Sequence, residues 1–330
     1  MNQLVSVLAS VVGGLVISYL VYLGLNFIVE KTNQKWKARL LPYVFLGPVL
    51  LLLAVFILAP TLLTVYQSLI KYDSFGLQSF GGVTNYVQLL SSGPFLQTLL
   101  NNLLWIIVVP ALTVVMGLFV ATLADRLGPF REKLFKTLIF IPFAISGIAA
   151  GTMWLFVYDA KAPGQPQVGL LNALYTGITK NDPIAWLQTP DFHLNSFLIM
   201  AVMIWLNAGY AMVLLSAAIK GVPEETIEAS RIDGANEQQT FFRVIMPQIR
   251  ATIVAVFITV LISVMKVFDI VLAMTSGQFN TNVLGTEFYN QLFSFQNQGK
   301  ASAVVVILLL AVIPVIVYQI RSYREQEALR

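Results

Sequence analysis

The chain has 330 residues, of which 57% are apolar and 11% charged, whereas soluble domains carry about 25% charge; it reads as an integral membrane protein. It has no cysteine and one histidine, His193, which excludes disulfides, thiolate-bound zinc, iron–sulfur clusters and a histidine-based metal site. The formal net charge of +4 could suit nucleic acid, but the positive residues are distributed as membrane orientation requires, so no nucleic-acid partner is expected.

Seven nearly charge-free apolar segments follow one another along the chain, at 4–28, 42–68, 98–124, 137–158, 195–219, 251–275 and 301–320. Each has about the 20 residues that a spanning helix needs. Helices are required because an isolated strand leaves its backbone unsatisfied in lipid, and the alternation of a barrel is absent. The expected fold class is all-α, a polytopic membrane protein with seven transmembrane helices. With the N-terminus outside, the inner segments hold 15 Lys and Arg and the outer ones four, and Lys266 falls within a span. The excess of basic residues inside gives an N-out, C-in orientation. The first segment is expected to be a retained helix rather than a cleaved signal, because its basic residues follow it instead of preceding it.

The polar stretch that ends near residue 95 marks a boundary. Residues 1–95 read as two N-terminal transmembrane helices with an outer loop, 96–320 as a five-helix core, and 321–330 as a cytoplasmic tail. The outer loop at 159–194 is rich in Pro and Gly, and its GLLNALYTG suits a short interfacial helix.

Within the core, the loop 220–250 holds nine of the chain's 36 charged residues. Gly221 closes the preceding span, and Pro223 suits the first turn of a helix, where a missing N–H needs no partner. Glu224 and Glu225 follow at the positive end of its dipole. Gly234, able to take the left-handed conformation, should stop that helix. Asn236 should cap a second one, which Pro247 breaks before the next span. The result is a helix, a glycine hinge and a second helix at the cytoplasmic surface.

Glu228-Ala229-Ser230, three residues, Gly234, nine residues and Val244-Ile245-Met246-Pro247 resemble the EAA loop of bacterial ABC importer permeases. That pattern reads Glu-Ala-Ala, three residues, Gly, nine residues, Ile, any residue, Leu, Pro. The departures are Ser230 for the second Ala, Val244 for Ile and Met246 for Leu. The resemblance runs from about residue 98 to 320 and is strongest to sugar permeases of the maltose and glycerol-phosphate type, through IDGANEQQTFFRVIMPQI, LISVMKVFDIVLAMTSG and QGKASAVVVILLLAVI. The segment IPFAISGIAAGTMWLFVYDAKAPGQPQVGLLNAL looks most like alpha-glucoside and glucosylglycerol permeases.

The resemblance implies a type I ABC importer permease core in a bacterial inner membrane. Its partners would be an ABC ATPase dimer, a second homologous permease subunit, an extracytoplasmic solute-binding protein and a sugar. Glu228 would contact the ATPase by charge-assisted hydrogen bonds, Gly234 would turn the loop, and Ala229 and Ala235 would permit close approach, with Ser230, Asp233 and Pro247 completing the motif. The chain has no G-x-x-x-x-G-K-[ST] loop: its one Gly-Lys pair, Gly299-Lys300, lacks the upstream glycine, so nothing cradles phosphates. ATP and Mg belong to the partner ATPase, and neither a cofactor nor a catalytic residue is expected in this chain.

A sugar path needs hydroxyl-directed hydrogen bonds and aromatic faces in a cavity between helices. The candidates are Asn101, Asn102, Ser146, Trp154, Asn207 and Tyr210. Lys266 and Asp269, three residues apart, should share a helix face and can pair. They are either a functional site or an ion pair that holds helices together. Pro142, Gly147 and Gly151 suggest a kinked, closely packed fourth span. The competing readings are an ABC permease for a non-sugar solute, an ion-coupled secondary transporter, which would show a repeat and more membrane acids, and a membrane enzyme, for which no catalytic set is present.

Overall fold

The apolar segments form helices. A computed structural model describes residues 2–72 and 78–328; residues 73–77 of the expected outer loop and 329–330 of the expected tail lie outside the described residues. Among those described, five helices are long and apolar enough to cross a membrane, and seven if each of two bent pairs counts as one span.

The chain divides into two units, Met1–Gln67 and Ser68–Arg330. In the first, α1 (Asn2–Glu30) and α2 (Gln34–Leu53) form a hairpin. Tyr22 meets Phe45 with ring centroids 5.7 Å apart, and Gly47 lies against the end of the Leu25 side chain. A π-helical turn, Ala54–Leu58, joins α2 to α3 (Ala59–Ser68). Its cause is Pro60, which has no N–H and crowds the preceding turn, so that the Ala59 N–H reaches back five residues to Ala54.

The second unit begins with a two-stranded antiparallel ribbon, β1 (Ile70–Tyr72) and β2 (Gln78–Phe80), the one departure from an all-helical chain among the described residues. Helix α4 (Thr84–Leu90) follows, and the Asn85 amide donates to the carbonyls of Ser68 and Ile70. The division by contacts comes at Ser68, ahead of the boundary expected near residue 95: the ribbon and α4 pack with the second unit, where Leu89 and Phe95 share a buried cluster with Leu284, Ala303 and Val304.

The centre of this unit is α5 (Gly93–Ala124) against α9 (Leu194–Lys220). Gly117 brings them together, because a Cβ there would lie 2.6 Å from that of Ala211. Between them in sequence come α6 (Pro129–Phe140), a 3-10 turn Ile141–Ala144, α7 (Gly147–Tyr158) and, in the loop expected outside, α8 (Leu170–Thr179). The fourth segment is thus two helices turned by 104°, not one kinked helix. The 3-10 turn contains Pro142, and Ser146 caps the new helix by accepting from the Ala149 N–H. Gly147 and Gly151 seat α7 on α14 (Asp269–Thr275), with virtual Cβ contacts to Asp269 at 3.3 Å and Ala273 at 3.1 Å, the packing role that their spacing suggested.

After α9, the polar loop contains α10 (Glu224–Ile232), α11 (Glu237–Thr240), a π turn Phe241–Ile245 and α12 (Met246–Gln248). A 70° bend leads into α13 (Arg250–Met265). The sixth segment is likewise interrupted, at residues 266–268, before α14. The chain ends with α15 (Leu284–Tyr289), a third π turn Asn290–Ser294 and α16 (Gln298–Ala328); the expected tail continues that helix as far as it is described.

Candidate functional site

The EAA-like loop is built from local rules. Pro223 precedes the first turn of α10, with Glu224 and Glu225 inside it. The helix ends in a Schellman motif: Gly234 sits at φ +83°, its N–H donates to the Arg231 carbonyl, and the Ala235 N–H donates to Ser230. Asn236 and Gln239 then form a reciprocal capping box on α11. Arg231 reaches Glu237 at 3.1 Å, an exposed pair of small energetic weight.

Ser230, the departure from the second Ala, is buried and bonds the Thr240 hydroxyl at 3.0 Å, tying α10 to α11. Pro247 does not end the second helix. It lies in the short α12, and the absence of its N–H produces the π turn upstream, with the Met246 N–H reaching Phe241; the break itself comes at Ile249. Glu228 and Ala229 are exposed, as are Asp233 and Gly234. Two exposed apolar side chains that sequence reasoning missed, Ile232 and Phe242, lie two residues before and eight residues after Gly234.

An ionic cluster connects the base of this loop to the bundle. The Lys136 ammonium donates to Asp125 at 2.7 Å and to Glu132 at 2.5 Å, and also to the Ser216 hydroxyl; Lys220 pairs with Glu132. The ends of α5 and α9 and the start of α6 are joined through it. None of these residues drew notice in the sequence except as positive charges.

The second locus is a cavity of about 250 Å³ beside the interruption of the sixth segment, lined by Phe143, Gly147, Asn207, Ser263, Lys266, Phe268 and Asp269 among others. Lys266 ends α13, Phe268 takes φ −149° and ψ −57°, and Asp269 opens α14. The expectation that Lys266 and Asp269 share a helix face is therefore corrected: they stand on either side of an unwound turn, and no ion pair joins them among the described residues. The turn is held open by packing. Gly285 lies against it, where a Cβ would meet the Val267 carbonyl at 2.6 Å. Unwound backbone between apolar helices is tolerated where it is packed in protein or lines a cavity, and here it does both.

Asn207, Lys266 and Asp269 thus share one cavity, and Ser146 neighbours it as the cap before Gly147. Tyr210 stands one step behind, stacked on Phe143 at 5.2 Å. Trp154 lies apart, against Trp205 and Tyr158 in the hydrophobic core. Asn101 and Asn102 lie elsewhere: buried, with the Asn101 amide donating to the carbonyls of Asn280 and Asn282 and the Asn102 oxygen accepting from the Leu284 N–H. They fasten the chain after α14.

Residues 83–326 match the family described as "Binding-protein-dependent transport system inner membrane component". The alpha-glucoside transport system permease protein AglF of Rhizobium meliloti is 38% identical, the match covering 98% of each chain. The osmoprotective compounds uptake permease protein GgtC of Synechocystis is 42% identical over 87% of this chain and all of its own. Among solved structures, a chain of a bacterial alginate ABC transporter, in complex with an alginate pentasaccharide-bound periplasmic protein, shares the fold with a TM-score of 0.70 at 19% identity, over 86% of this chain and 94% of that one.

Proposed function

The chain belongs to the family of binding-protein-dependent transport system inner membrane components and is a permease subunit of an ABC importer; from that premise we propose that its solute is a sugar or glucoside, of the alpha-glucoside or glucosylglycerol type. The observation that carries the reading is the cavity at the interrupted sixth segment. It sets an amide, a hydroxyl, an ammonium and a carboxylate beside two aromatic rings, the combination that hydroxyl-rich rings require. Asn207 and Lys266 donate to sugar hydroxyls, Asp269 and Ser263 accept from them, and Phe143 and Phe268 cover the ring faces. The names of the two relatives support the class of solute.

Transport proceeds by alternating access. The loop 220–250 docks on a separate ATPase dimer, which carries ATP, Mg and hydrolysis. Exposed Glu228 makes the polar contact, with Ile232 and Phe242 as apolar anchors beside the Gly234 turn. A second homologous permease subunit completes the path, and a solute-binding protein delivers the sugar outside. The N-out, C-in orientation supported by the basic residues places the loop on the cytoplasmic face of a bacterial inner membrane.

The test is uptake of a panel of labelled glucosides by the complete complex in proteoliposomes, with phosphate and amino acids as controls. Saturable uptake of one glucoside, weakened about tenfold in KM by Asn207→Ala (one lost polar contact at roughly 1.4 kcal/mol per factor of ten), is expected. Uptake of a non-sugar solute alone would refute the proposal.

A further inference from the structure

Beyond the cavity, residues 289–298 read YNQLFSFQNQ, three aromatic residues and five amides in ten positions. Three observations single the stretch out. First, its π turn, Asn290–Ser294, has no covalent cause. The turns at Ala54–Leu58 and Phe241–Ile245 each precede a proline by two residues, Pro60 and Pro247, whereas Ser294 is followed by Phe295 and Gln296. π turns inside α-helical structure are frequent at functional sites. Gln296 adds a left-handed conformation at φ 51°, one that a side chain disfavours.

Second, aromatic rings run in series out of the cavity. Phe268 lines it, Tyr289 lies 5.6 Å from Phe268 and Phe293 lies 4.8 Å from Tyr289, each pair inclined by about 40°. Phe268 and Tyr289 are half-buried, and Phe293 at the end of the series is 61% exposed. Third, the side chains of Asn290 and Gln296 make no hydrogen bond among the described residues. Asn290 is half-buried and Gln296 exposed, so the donors and acceptors of both amides are open to a ligand.

We propose that Phe268, Tyr289 and Phe293 form a stacking track continuous with the cavity, and that with Asn290 and Gln296 they make a second sugar subsite, which takes the outer ring of a glycoside while the cavity takes the inner one. This rests on the sugar reading above. A site of 250 Å³ is smaller than the roughly 300–1,000 Å³ that holds a drug-sized ligand, and the track supplies the missing surface. Aromatic faces accept a sugar ring by its C–H side, and the open amides of Asn290 and Gln296 supply donors and acceptors for its hydroxyls.

The experiment compares a one-ring and a two-ring glucoside for uptake by the complete complex, with binding-protein-stimulated ATP hydrolysis measured in parallel. Phe293→Leu and Tyr289→Leu keep apolar bulk and remove the ring face. Each is expected to weaken uptake of the two-ring glucoside about five- to tenfold relative to the one-ring compound, with Phe293→Tyr retaining it and ATP hydrolysis unchanged. Asn290→Ala, which breaks no side-chain hydrogen bond, should shift the same ratio. An unchanged ratio in the Phe293 and Asn290 variants overturns the proposal. So does an equal loss for both sugars accompanied by loss of stimulated ATP hydrolysis, which would make the segment a docking surface for the binding protein. Absence of glucoside uptake by the unaltered complex would sink the sugar reading itself, and is distinguished from both because no variant is involved.

Discussion

Gly234→Ala isolates the backbone conformation of the coupling loop from every other variable. A Cβ at Gly234 meets nothing within 4 Å, so the substitution carries no steric term. Its φ of +83° is left-handed, which costs a residue with a side chain about 1–2 kcal/mol. Alanine also stiffens the alternative conformations, returning about 0.4–1 kcal/mol. The net destabilisation of the hinge is about 0–1.6 kcal/mol, centred near 0.8, a factor of roughly four at the centre and at most about fourteen at 1.4 kcal/mol per tenfold.

Asparagine tolerates the same region and should lose less; valine, branched at Cβ, should lose most. Initial uptake rate per assembled complex should therefore rank parent, Gly234→Asn, Gly234→Ala, Gly234→Val, with membrane insertion equal in all four. The rank isolates the hinge because the capping box and the Ser230–Thr240 bond are intact throughout. A valine variant that transports like the parent, or an alanine variant better than the asparagine one, would refute the reasoning.

Glu228→Lys should abolish uptake while leaving the protein inserted, read from uptake and membrane fractionation; normal transport would remove Glu228 from the docking surface. Lys136→Met leaves Asp125 and Glu132, each about one-sixth exposed, with Lys220 as their remaining cation, and should cost about 1–2 kcal/mol, well below the 3–5 of a buried pair left unpaired. Lys136→Arg should restore most of it, as read from thermal unfolding in detergent. Asn101→Ala strips the carbonyls of Asn280 and Asn282 of a buried donor and should lower stability by about 2–4 kcal/mol, with uptake by the folded fraction altered less than by Asn207→Ala. Equal stability of the parent and Asn101→Ala would contradict the fastening role.

What could be read from the sequence follows the range of the interactions involved. The coupling loop was legible because its devices act within a few residues: Asn236 and Gln239 cap each other, and Gly234 closes a motif with Ser230 and Arg231. Pro247 was legible as a perturbation but misplaced, because its effect falls upstream, on the Phe241–Ile245 turn, rather than at its own position. The interruption at 266–268 was not legible at all. Neither Gly nor Pro stands there, and the glycine that makes room for it, Gly285, is brought against Val267 by the fold. In the sequence the Asn101 and Asn102 amides suit either solute contact or helix capping; they do neither, and the partners they hold lie some 180 residues away.

The same limit explains why residues 289–298 escaped notice. Their composition is visible in one line of sequence, but only the series of rings from Phe268 through Tyr289 to Phe293 connects that composition to the cavity. A polar residue within an apolar segment therefore has two competing uses, fastening backbone and meeting solute. Spacing does not separate them; the hydrogen-bond partner does. Asn101 has both its donor contacts filled by carbonyls of a distant turn, whereas Asn207 bonds only within its own helix, to Met203, and faces the cavity. By that criterion Asn207, and not Asn101, is the residue whose removal should change which solute the protein prefers.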